Sequence, residues 1–176
     1  MKILLVLAAL LCGPAAWADA LHGVVIVVID GDTVLFKPDS HPPASRAFIK
    51  VRLAGIDAPE AGQPHGDAAT HALKERILKQ RARLTPVATD AYGRTLGRLE
   101  MDGLDVNAEL VRQGHAWASS RDAADPLRRM QDEARRARRG LWVEPDPVPP
   151  WVWRRSQSVR PGAAISPARG GVSRRT

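Results

Sequence analysis

Three short segments of this 176-residue sequence gather side chains able to act on phosphate. They are Asp30-Gly31-Asp32-Thr33, Arg52 with Asp57-Ala58-Pro59-Glu60, and Asp90-Ala91-Tyr92-Gly93-Arg94. Carboxylates are hard oxygen donors, and Asp32 and Asp57, completed by a backbone carbonyl and water, suit Ca²⁺ or Mg²⁺. A softer metal is disfavoured, because Cys12 is the only cysteine, there is no HExxH pattern and the five histidines show no ligand spacing. Arg52 and Arg94 keep their charge at any ordinary pH, and their planar forks match phosphate oxygens. A hard cation, two guanidiniums and a spare carboxylate form a set for phosphodiester hydrolysis: the positive groups stabilise charge on phosphorus and the carboxylate activates water. Each segment alone also has an ordinary structural reading. Asp-Gly-Asp is a common hairpin turn, Arg52 can pair with Asp57 or Glu60 at a strand end, and Tyr-Gly-Arg is a common turn.

Each segment falls where a strand meets a turn, which is how separate loops come to share one rim. The β-branched run Val24 to Ile29 reads as a strand, Asp30 to Asp32 as a hairpin turn and Thr33 to Phe36 as the returning strand. Lys37 to Ala47, with three prolines, reads as a loop, and Ile49 to Ala54 as a third strand. Asp67 to Lys79 carries Ala69, Leu73, Ile77 and Leu78 at helical spacing. Ala82 to Val87 is a strand in which Pro86 requires an edge or a bulge, and Leu96 to Met101 is a fifth strand. Val106 to Gln113 is a short helix stopped by Gly114. The final helix has Asp125 as its cap, Pro126 at its first position and Gly140 as its stop, with Leu141 and Trp142 packing back on the core. Five short strands with helices after the third and the fifth give an α+β chain built on a small closed or partly closed barrel.

The ends differ from this middle. Residues 1–20 have a basic start at Lys2, a short apolar run Ile3 to Leu11 and small-residue cleavage patterns around Ala16 to Ala20, the plan of an export signal. The expected mature chain is therefore exported, periplasmic or secreted, free of cysteine and not held in a membrane. Residues 154–176 hold six arginines and no acid among Pro, Gly and Ser, and are expected to form a basic, disordered tail. The formal charge is +7 overall, yet 21–153 has 19 basic and 18 acidic residues, so most of the excess lies in the tail. Such a tail suits non-specific contact with polyanions. Nothing in the sequence points beyond a monomer.

Taken together and in order, IDGDTV, VRLAGIDAPE, DAYGRTLGRL and VNAELVRQGHAW resemble the staphylococcal nuclease (thermonuclease) family from about Gly23 to Trp142. The closing segment Pro149 to Arg155 also resembles its bacterial exported members. The resemblance implies an OB-fold five-stranded β-barrel with three α-helices over 21–153, and Ca²⁺-dependent endonuclease activity on DNA and RNA. It implies in-line attack of water, release of the 5′ oxygen and 3′-phosphate products. Position by position, it makes Asp32 and Asp57 the metal carboxylates, with the carbonyl of Ala58 as a backbone ligand. Glu60 becomes the general base, Arg52 and Arg94 the phosphate-binding arginines, Tyr92 a phosphate-bonding aromatic, and Asp30 an acid beside the metal outside its direct ligands. The departures are a longer Lys37 to Lys50 link, Ala58 for a common threonine and Ala91 for a basic residue. Trp117, Ser119, Ser120 and Arg121 also stand where tyrosines flank the nucleotide base. The competing readings are an OB module that binds nucleic acid without cutting it, and a barrel for sugars or proteins; the latter leaves the arginines and acids without a role.

Overall fold

The β-branched run and the Asp-Gly-Asp turn form the expected hairpin, and the rest of the barrel follows from it. A computed structural model describes residues 19–42, 44–120 and 122–158. The segment expected to direct export, as far as Ala18, lies outside the described residues, as do Arg121 and the tail beyond Ser158. In chain order the elements are β1 (Leu21–Val28), β2 (Thr33–Pro38), β3 (Ile49–Leu53), β4 (Ile56–Asp57), α1 (Gly66–Ile77), β5 (Arg81–Thr89) and β6 (Thr95–Met101). They continue with β7 (Leu104–Asp105), α2 (Val106–Arg112), β8 (Trp117–Ala118), α3 (Pro126–Arg136), a 3₁₀ turn (Gly140–Val143) and α4 (Pro150–Ser158).

Five strands close the barrel. β1 pairs antiparallel with β2 and β5, β2 with β3, and β5 with β6, while β3 and β6 run parallel and seal the ring. The proline in β5 sits at an irregularity, since the β5–β6 register shifts between Pro86 and Ala88, the setting in which a strand accommodates a residue without an N–H. Alternate residues turn inward, and Val25, Val34, Phe36, Val51, Leu84 and Leu99 are fully buried. α1 covers the interior with Ala69, Leu73 and Ile77, and α2 with Val106, Leu110 and Val111, joining one apolar core. This is the mixed five-stranded OB-like barrel and the α+β class expected from the sequence.

The helices need one correction. Four α-helices, not three, stand among the described residues. The fourth grows from the Pro-Pro-Trp-Val-Trp-Arg-Arg stretch and runs to Ser158, so helical structure enters the segment expected to be a loose tail from residue 154. Pro150 opens it, where an absent N–H is no loss, and the N–H groups of Val152 and Trp153 both donate to Pro149 O. Its packing is aromatic: Trp151 stands edge-on to Trp117 at 6.4 Å, and Trp117 edge-on to Trp142 at 5.3 Å. Trp117, Ala134, Leu141 and Trp142 form a second small core beneath. Leu141 and Trp142 do pack back as expected, through the 3₁₀ turn. Gly114 allows this: its φ is +75°, and a Cβ there would lie 2.2 Å from Arg139 O. No helix among the described residues is long and apolar enough to cross a membrane.

One buried polar residue ties the barrel to its loops. Asn107 on α2 accepts from Leu99 N at 3.1 Å and donates to Gly97 O at 3.1 Å and Ala54 O at 2.9 Å, so it joins β6 to the turn after β3. Its removal strands several buried backbone groups at once. Asn107→Ala is expected to lower unfolding free energy by about 2–3 kcal/mol, read as a fall in urea midpoint with unchanged slope. A change within about 0.5 kcal/mol would show that this bridge is dispensable.

Candidate active site

The register of the β2–β3 hairpin sets Thr33 opposite Arg52, which brings the Asp-Gly-Asp turn beside the end of β3. Leu53 N donates to Asp32 O at 2.8 Å and fixes the approach. The turn can sit this deep because Gly31 has no side chain: a Cβ there would lie 2.8 Å from both Ala58 Cβ and Ala69 Cβ. Beyond Gly55 the chain reverses into β4, which pairs with β8 and sets Asp57 opposite Trp117.

Arg52 then bridges two acids. Its Nη1 donates to Asp32 Oδ1 at 2.8 Å and its Nη2 to Asp57 Oδ1 at 2.7 Å. Both carboxylates are buried, at 3 % and 6 % exposure. Asp32 is engaged on both oxygens, since Thr33 Oγ1 donates to Oδ1 at 3.0 Å and Ala58 N to Oδ2 at 2.9 Å. Asp30 supports the turn from within by accepting Asp32 N at 3.0 Å. Both structural readings of the sequence therefore hold here: the turn is a turn and Arg52 is paired. Yet the pairing also sets the two acids on one guanidinium, as a shared site requires.

Glu60 lies on the loop before α1, where Gln63 Oε1 accepts Glu60 N at 3.0 Å. Gln63 Nε2 reaches across to donate to Val148 O at 2.6 Å, which pins this loop to the chain leading into α4. The third segment is organised by Asp90. Its Oδ1 accepts Tyr92 N and Arg94 N, each at 2.9 Å, and its Oδ2 accepts Arg94 Nε at 2.7 Å. Tyr92 is 86 % exposed, and the Arg94 guanidinium lies 5.5 Å from its ring centre.

All three segments meet at one cleft of about 660 Å³, lined by Asp30, Lys50, Arg52, Glu60, Tyr92, Arg94 and Arg154. Five of these were expected from the sequence, and Asp32 and Asp57 stand directly behind them on Arg52. Lys50 and Arg154 were missed. Lys50 had a legible signal, since it stands two residues before Arg52 on the same strand and so shares its face. Arg154 stood only within the Pro149 to Arg155 stretch that resembles exported family members, and nothing local tied it to Glu60, 94 residues away along the chain. Among the described residues no group of three or more acids, histidines and cysteines forms a metal cluster. What the cleft offers a cation is a pair of carboxylates and a neighbouring backbone, a hard-oxygen set that fits Ca²⁺ or Mg²⁺. Ala58 meets Asp32 through its N–H.

The family model described as staphylococcal nuclease homologue matches residues 50–144. The chain belongs to the staphylococcal nuclease family. Among its relatives, a protein named as an uncharacterised endonuclease of Escherichia coli O157:H7 is 41 % identical over 143 residues, spanning 80 % of this chain and 89 % of that one. The micrococcal nuclease of Shigella flexneri is 38 % identical over 153 residues, 80 % of this chain and 84 % of that one. Protein ParB of Escherichia coli is 40 % identical over 166 residues, 88 % of this chain and 90 % of its own. The family match covers Arg52, Asp57, Ala58, Glu60, Tyr92 and Arg94; Asp30 and Asp32 precede it and Arg154 follows it.

Electrostatics separate the acids of this nuclease-family cleft. Burial pushes the Asp32 carboxyl up to about 6, although the Arg52 guanidinium and the Ala58 N–H pull it down; Asp30 adds to the rise. At Asp90 desolvation works upward, but the donors from Arg94 and Tyr92 win and hold it below the ordinary range, so it stays ionised beneath Arg94. Because the folded-state value of Asp32 is raised, its contribution to stability is fully present below the ordinary 3.8 and is lost as pH rises through about 6. With a chelator present, the advantage of wild type over Asp32→Asn is expected to shrink as pH rises from about 4 to about 7, measured by urea unfolding. An advantage that widens with pH would reverse the assignment.

Proposed function

We propose that this chain is a Ca²⁺-dependent endonuclease acting outside the cytoplasm, which hydrolyses phosphodiester bonds of DNA and RNA and leaves 3′-phosphate ends. The observation that carries this reading is that Arg52, Glu60 and Arg94, from three separate segments, line one cleft beside the paired Asp32 and Asp57. The family and its named relatives support the enzyme class. A module that only binds nucleic acid needs the positive groups but has no use for acids buried behind them at the cost of desolvation. The segment at 1–20, with the plan of an export signal, supports an extracytoplasmic setting where calcium is available.

Asp32 and Asp57, with the carbonyl of Ala58, are the groups that would hold Ca²⁺, which when bound supplies positive charge against the phosphoryl oxygens. The rest of the chemistry falls to the chain itself. Arg52 and Arg94 grip non-bridging oxygens of the scissile phosphate and stabilise the charge that builds on them during attack. Asp90 keeps the Arg94 guanidinium aimed into the cleft. Tyr92, exposed at the rim, donates its hydroxyl to a substrate phosphate. Glu60 takes the proton of the attacking water, which approaches phosphorus in line with the departing 5′ oxygen. One chain contributes every group named, so this reading requires no partner subunit.

Two measurements test this reading. Purified protein is expected to cut DNA with Ca²⁺ and to stop on addition of a chelator, while Arg94→Ala and Glu60→Ala each lower turnover by roughly 10²–10⁴-fold with circular dichroism unchanged. Wild-type rates in both variants would move the active site elsewhere, and tight DNA binding without cleavage would favour the binding module. Deletion of residues 159–176, which removes four arginines but spares α4, is expected to weaken low-salt binding to long DNA and leave dinucleotide cleavage unchanged. A loss of dinucleotide cleavage would place this segment in the catalytic fold.

A further inference from the structure

The C-terminal helix enters the cleft with a guanidinium for which the proposed chemistry has no use. Arg154 donates from Nη2 to Asp57 Oδ2 at 2.8 Å and from Nη1 to Asp57 Oδ1 at 3.1 Å, and its Nη1 also bonds Glu60 Oε1. Both oxygens of the Asp57 carboxylate are thereby engaged by nitrogen donors: Oδ1 by Arg52 and Arg154, Oδ2 by Arg154. Arg154 thereby takes the one Asp57 oxygen, Oδ2, that Arg52 leaves free, and the Glu60 carboxylate is tied to the same fork.

The arm that brings Arg154 here is well anchored. Trp151 packs on Trp117, which is opposite Asp57 in the β4–β8 pair, and Gln63 on the Glu60 loop holds Val148 just before the helix. The helix axis is therefore fixed to the two segments that carry Asp57 and Glu60. The Arg154 side chain itself is 44 % exposed, so its guanidinium meets the two acids from the solvent side. A cation entering from solvent meets this guanidinium on its way to Asp57.

Resting on the reading of Asp57 as a calcium ligand, we propose that Arg154 is a resident cation of the cleft, which holds Asp57 and Glu60 until a divalent cation displaces it from Asp57. Arg154 thus sets the affinity of the site for that cation and keeps the acids from repelling one another in its absence. Removing the guanidinium removes a competitor, so cation binding should strengthen. An arginine serving only to brace the fold would not have this effect. Bulk charge is the remaining confounder, and Arg155 on the same helix controls for it: its Nε bonds Trp151 O within the helix.

The test is calorimetric titration of Ca²⁺ into the chain without nucleic acid, for wild type, Arg154→Ala, Arg154→Gln and Arg155→Ala. Tryptophan fluorescence checks that the Trp117–Trp142–Trp151 cluster remains packed in each. Arg154→Ala and Arg154→Gln are expected to bind Ca²⁺ about tenfold more tightly than wild type, a figure discounted for the partial exposure of the pair, and Arg155→Ala less than about twofold. Equal or weaker binding by both Arg154 variants overturns the proposal and leaves the metal site standing, as does an equal gain in Arg155→Ala. Absence of calcium binding in wild type and variants alike overturns both this proposal and the assignment of Asp57.

Discussion

The structure turns on one guanidinium. Arg52 holds Asp32 and Asp57, two buried carboxylates from turns that are distant along the chain, and without it their burial would be strongly unfavourable. The hairpin register brings the first acid within reach, and the short β4–β8 pair brings the second. Gly31 removes the last obstacle by letting the first turn sink against Ala58 and α1. Barrel, loops and helix cover thus converge on a single ion-pair centre, and the cleft in front of it is where phosphate chemistry becomes possible.

That centre extends into an alternating chain of charges: Asp32, Arg52, Asp57, Arg154 and Glu60. Alternation keeps each buried acid compensated while leaving Lys50 and Arg94 to face the same cleft. A binding surface for polyanions would need only the positive members. In the proposed reading the acids serve as ligands and as a proton acceptor, the asymmetry expected of a site that cleaves a phosphodiester. The aromatic cluster gives the C-terminal helix a part in this arrangement, because Trp117 contacts both the strand carrying Asp57 and the helix carrying Arg154.

Much of the barrel was legible in the sequence for local reasons. β-branched runs, the Asp-Gly-Asp turn, the Pro86 irregularity and the Asp125-Pro126 helix start all express preferences of a few adjacent residues. The strands β4, β7 and β8 were not legible, since two-residue pairings leave no periodic pattern. Nor was α4, whose residues from Arg154 on read as tail; it packs through Trp151 on Trp117, a residue far away in sequence. Asn107 was likewise silent, because its value lies in three backbone groups that only the fold gathers.

The sequence by itself determined the chemical inventory: which acids, which guanidiniums, their order, and the turns that carry them. These are properties of residue type and near neighbours. Tertiary structure alone decided that Arg52 joins Asp32 to Asp57, that Lys50 and Arg94 share one cleft with Glu60, and that Arg154 returns from the far end of the chain to close it. Such contacts depend on strand register and helix docking, which sum weak preferences over the whole chain and leave no mark at any one position.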